Sequence, residues 1–121
     1  MIHENLKNES ILKCATELNK RENIPKYCYR RNSIFYPLIC YTNNITGLLI
    51  SNNLQDIPVF IMRAFKEIKI LKDKGQDEKY FEMCVDYLVE ISKYLITHAE
   101  MDETNKDLIP MEIQKMIGMS L

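Results

Sequence analysis

Read at 3.6 residues per turn, the stretch from Gln76 to Met101 sorts into three faces, and a helix of that length narrows the folds open to a chain of 121 residues. Phe81, Cys84, Val85, Leu88, Ile91, Ser92 and Leu95 recur at steps of three and four, the stripe that an amphipathic helix turns toward its neighbours. Along one edge of that stripe Tyr80, Tyr87 and Tyr94 stand seven residues apart. On the far side Glu78, Glu82, Asp86 and Glu90 follow one another at i, i+4, where each like-charged pair costs a helix roughly 0.2 to 0.5 kcal/mol unless a cation intervenes. A line of tyrosines beside a ladder of carboxylates has the composition of a surface for a basic partner.

The helix before it has the same legibility. Ile57, Phe60, Ile61, Ala64, Phe65, Ile68 and Leu71 form one face of Ile57 to Lys74, and Arg63 with Glu67 and Lys69 with Asp73 make i, i+4 pairs on the other. Gly75 ends it. The short link forces Ile57–Lys74 and Asp77–Met101 to lie antiparallel, as a helical hairpin. Asn8 to Glu22 gives a first helix through Ile11, Leu12, Ala15 and Leu18. A final short helix spans about Ile109 to Met116, after a link at Asp102 to Asn105, and offers Ile113, Met116 and Ile117 to the core. Asn23-Ile-Pro, Asp56-Ile-Pro and Asp107-Leu-Ile-Pro each set an N-cap type of residue shortly before a proline, so Pro25, Pro58 and Pro110 read as helix starts. Pro37, after Asn32 and Ser33, is a fourth of the kind.

Residues 34–50 allow two structures. Ile34, Phe35, Leu38, Tyr41, Ile45, Leu48 and Leu49 fit helical spacing, whereas the β-branched and aromatic content also suits two short strands turning at Asn43 and Asn44. The absence of strict alternation favours the helix. The expected fold is therefore a single all-α domain over residues 1–121, a bundle of four to five helices around the central hairpin, with α+β as the alternative if 34–50 forms a small β-hairpin.

Charge is nearly balanced overall, at −1, but residues 1–75 carry a net +5 and residues 76–121 a net −6. The chain is thus an electrostatic dipole whose poles meet either a partner or each other, the latter if Arg63, Lys66, Lys69, Lys72 and Lys74 neutralise the ladder. Within Lys20 to Arg31, the residues Lys20, Arg21, Lys26, Arg30 and Arg31, interleaved with Tyr27 and Tyr29, form a second candidate surface able to hold phosphates and stack bases.

Catalytic and metal chemistry find little to work with. The nearest two cysteines of Cys14, Cys28, Cys40 and Cys84 are twelve residues apart, far from the close pairs of a zinc site. His98 and Cys84 share one helix but lie about 21 Å apart along it, beyond any dyad. The three glycines, Gly47, Gly75 and Gly118, build no phosphate loop, and His3 stands alone. No enzyme activity, cofactor or metal is expected. The start, Met1 to Ile11, contains Glu4 and Glu9 and lacks the pattern of a signal peptide, so reduced thiols and a cytoplasmic location are expected. Residues 32–55 carry no charge, but Asn43, Asn44 and Thr46 interrupt the run before it reaches the roughly 18 to 20 apolar residues of a membrane span.

These features favour a non-enzymatic protein-binding module: an immunity protein or antitoxin covering a basic toxin such as a nuclease, or a phage or viral inhibitor with the same physics. Glu78, Glu82, Asp86, Glu90, Tyr80, Tyr87 and Tyr94 would be the contact residues. The alternative is a small nucleic-acid-binding regulator that uses residues 20–31.

Overall fold

The computed structural model describes residues 9–20, 22–24, 36–74, 78–98 and 101–118. Among these the chain is all-α. Helix α1 spans Glu9–Asn19, α2 Tyr36–Ile50, α3 Ile57–Lys72, α4 Glu78–His98, α5 Glu103–Leu108 and α6 Met111–Gly118, with a 3-10 turn at Leu54–Asp56 leading into α3. Periodicity thus outweighs β-branching in the uncharged segment, which is helical from Tyr36 and buries Leu38, Thr42, Ile45 and Leu49. Ile34, Phe35, Asn32, Ser33, Pro25 and Gly75 lie outside the described residues.

The α2–α3 connection is sharp because the chain enters the left-handed region at Asn52, with φ 61°, a conformation Asn tolerates better than most residues. The N–H of Asn53 reaches back to the carbonyl of Leu48 at 2.8 Å and that of Asn52 to Leu49 at 3.2 Å. This pair of bonds satisfies two carbonyls that the end of α2 would otherwise leave open. Pro58 occupies the first turn of α3, as its lack of an N–H allows, although Asp56 at the N-cap makes no side-chain bond to the helix.

Six helices occur among the described residues, where four to five were expected, because the C-terminal segment divides in two. Asp102 caps α5 by accepting the N–H of Asn105 at 2.8 Å, so residues read as a link begin a helix. Ile109 is then extended, at φ −70° and ψ 124°, since the residue before a proline is driven out of the helical region. Helix α6 follows at once, the carbonyl of Pro110 accepting the N–H of Gln114 at 3.0 Å. Asp107 therefore lies within α5. Asn23 also acts backward: its amide donates to the Glu17 carbonyl at 2.9 Å and closes the end of α1.

Helices α3 and α4 together form the centre of the bundle, and α4 carries the candidate surface. Helix α4 packs against α1, α3 and α6, while α2 and α5 pack on α3. One cluster of buried residues draws on Ile11, Leu38, Ile61, Phe81, Leu88, Ile91 and Ile113, among others. Val85 is only partly buried at its edge, and Met116, expected to pack, is 45% exposed. Among the described residues no helix is long and apolar enough to cross a membrane. Cys14 and Cys40 are half-buried thiols and Cys84 a buried one; Cys28 lies outside the described residues.

Candidate functional site

The tyrosine edge of α4 is covered by its neighbours. Tyr87 is fully buried, at 0% exposure, and Tyr80 is 4% exposed, so neither is available to a partner in this structure. Only Tyr94 is half-exposed, its ring 4.8 Å from that of the exposed His98. The physical reason is width: a line beside the apolar stripe still falls within the arc of more than 100° that a packed helix buries, and α1 and α2 close over it. Leu18, Ile39, Thr42, Thr46, Tyr80 and Tyr87 line a small cavity of about 100 Å³ there. The Tyr87 hydroxyl bonds to Thr46 Oγ1, which also donates to the carbonyl of Thr42 at 3.0 Å. Burial pushes the Tyr87 hydroxyl up to about 12, against a smaller downward pull from its bond to Thr46. Tyr80 and Tyr87 are thus removed from the candidate contact residues and placed in the core.

The carboxylate ladder keeps its outward place. Glu78, Glu82 and Asp86 are exposed, and none is within salt-bridge distance of a cation among the described residues. Glu90 is half-buried and shares Lys93 at 3.7 Å. No described cation of α3 lies within salt-bridge distance of the ladder. Lys69 reaches Glu112 of α6 at 3.3 Å and lies over the ring of Phe65, in place of the expected pairing with Asp73. Arg63 lies over the Phe60 ring, 5.6 Å from its centre, and not against Glu67. The rings of Phe60 and Phe65, one turn back on α3 itself, and Glu112 of α6 engage these side chains in place of the carboxylates one turn on, and each pair is of small energetic weight at the surface.

Helix α1 runs beside this face. The C-terminal end of α1, at Leu18, meets Tyr80 near the start of α4, and Cys14 lies within the field of Asp86 and Glu90. Burial pushes the Cys14 thiol up, and Glu90 and Asp86 push it further, with Lys13 pulling the other way. The thiol therefore stays protonated at neutral pH, the opposite of an activated nucleophile. Between the two helices runs an open groove of about 520 Å³ whose lining includes Lys13, Cys14, Met83, Asp86, Val89 and Glu90. Sequence reasoning missed this groove, because it belongs to a helix pair with 58 residues between its members and no local spacing reports it.

Comparison with protein-family models, with curated proteins and with solved structures finds no match.

Of the basic segment, Lys20 is exposed and donates to Glu17 at 2.6 Å, a bond that lowers the Glu17 carboxyl and raises the Lys20 amine. Arg21, Lys26, Tyr27, Tyr29, Arg30 and Arg31 lie outside the described residues.

Proposed function

We propose that this protein is a non-enzymatic binding module that captures a basic protein on the outward face of α4. The concrete form of the reading is an immunity protein or antitoxin covering a cationic toxin such as a nuclease; a phage or viral inhibitor protein would use the same surface. One observation carries it: Glu78, Glu82 and Asp86 stand one turn apart on an exposed face, and no described cation lies within salt-bridge distance of them. Their mutual repulsion costs the helix a few tenths of a kcal/mol per pair, a cost that a cationic partner converts into attraction and fast encounter. The polarity of Cys14, held protonated, supports binding over covalent chemistry on this face. The surface offered to the partner is narrower than the sequence suggested, resting on carboxylates with Tyr94 alone at its margin.

The test is affinity capture with the full chain and with its Glu82→Lys/Asp86→Lys variant as baits, the product of a neighbouring gene being the first candidate partner. Wild type should retain a basic protein that the variant, equally folded by circular dichroism, releases. A partner held equally by both would remove the acidic face from the function.

A further inference from the structure

We propose that the groove between α1 and α4 seats a cationic amphipathic helix of the partner. This rests on the reading that the face of α4 binds a basic protein, and it adds the shape of the recognised segment. The floor is apolar and half-buried: Cys14 from α1, Met83 and Val89 from α4, each packed on the core from its outer side. The wall is anionic, since Asp86 and Glu90 belong both to the groove and to the ladder, with exposed Glu82 one turn away. From Lys79 to Glu90 the groove follows α4 for about 16 Å, or roughly three turns of a helix laid along it. An apolar floor beside a row of carboxylates complements a helix with one apolar stripe and lysines or arginines along its border.

A helix is the occupant that this geometry accepts. Two helices side by side present the ridges into which a third interdigitates, and Met83 adapts its shape to what it meets. A peptide that binds by strand addition needs the edge of a sheet, and no strand occurs among the described residues. Nucleic acid would meet like charge on the ladder. Lys13 and Lys79 also line the groove, against the three carboxylates of Glu17, Asp86 and Glu90, so a partner's cations are drawn to its acidic positions and repelled from these two.

The probe is a synthetic peptide of about 18 residues, roughly five turns, built of leucine and lysine in a helical stripe, with a leucine and glutamate peptide of the same pattern as its control. Titrated into the isotopically labelled full chain, the lysine peptide should shift the amide resonances of Lys13, Cys14, Met83, Asp86 and Val89. Its affinity should fall roughly tenfold in Asp86→Lys, a surface change that leaves the fold intact, and in Met83→Glu, while the glutamate peptide should not bind. Equal binding of both peptides overturns the proposal. So do shifts confined to Met62, Phe65 and Met111, which line a separate groove between α3 and the C-terminal segment, or no shifts at all, as when residues of this chain already fill the site. If the protein partner is still lost on Glu82→Lys/Asp86→Lys but is unaffected by Met83→Glu, the acidic face stands and the groove does not.

Discussion

Replacing Tyr87 with Phe removes one oxygen from the centre of the bundle and separates two effects by pH. At neutral pH the change costs one hydrogen bond to Thr46, about 0.5 to 1.5 kcal/mol, with little further penalty because Thr46 keeps its bond to the Thr42 carbonyl. Alkali reverses the comparison. The hydroxyl is raised from its ordinary 10.0 to about 12 by burial, so its contribution is whole below pH 10 and is lost as pH rises through the folded-state value, the unfolded tyrosine ionising first. The loss is on the order of 3 kcal/mol in full and about 1 kcal/mol by pH 11. Urea denaturation of wild type and Tyr87→Phe at matched pH cancels the titration of every other group. The wild-type advantage should close near pH 11 and change sign above it. An advantage that is constant from neutral pH to pH 11 would mean that Tyr87 ionises as a surface tyrosine does, and the burial of the tyrosine edge would be wrong.

Leu88→Ala, at a fully buried position of α4, should cost about 2 to 5 kcal/mol in the same denaturation assay; a cost under about 1 kcal/mol would place Leu88 outside the core. Asp102→Ala should lower stability by about 0.5 to 2 kcal/mol and speed amide exchange at Asn105, whereas unchanged exchange there would deny the cap on α5. Glu82→Lys/Asp86→Lys should leave the melting temperature unchanged or slightly raised, since it relieves repulsion on α4 and breaks no described ion pair; a marked fall would show that the ladder stabilises the monomer.

Much of the fold is written in local spacing. The stripes of α1, α3 and α4 are complete in single windows of sequence, and nearly every residue of them is buried where the period places it. What escaped was decided by parts of the chain distant from each other. Tyr87 looks like an edge residue on its own helix and becomes core only when Thr46, forty-one positions earlier, meets its hydroxyl. Lys69 has a carboxylate one turn away in Asp73 and bonds instead to Glu112, which no window around α3 contains. The break between α5 and α6 was legible, since Ile109 precedes Pro110, but the apolar periodicity of the last helix masked the capping aspartate at 102. Of the candidate surface, the carboxylates were readable because exposure on one helix needs no partner. The groove beside them was not, because it exists only where Cys14 and Met83 come together.

The claim that an unrelieved acidic face draws in a basic protein is tested most directly by the rate at which the captured partner associates. Stopped-flow association of wild type should slow steeply as salt rises from about 50 mM to about 300 mM, as the Debye length shrinks, and the Glu82→Lys/Asp86→Lys variant should associate slowly at every salt concentration. An association rate indifferent to both salt and the charge of α4 would contradict the account.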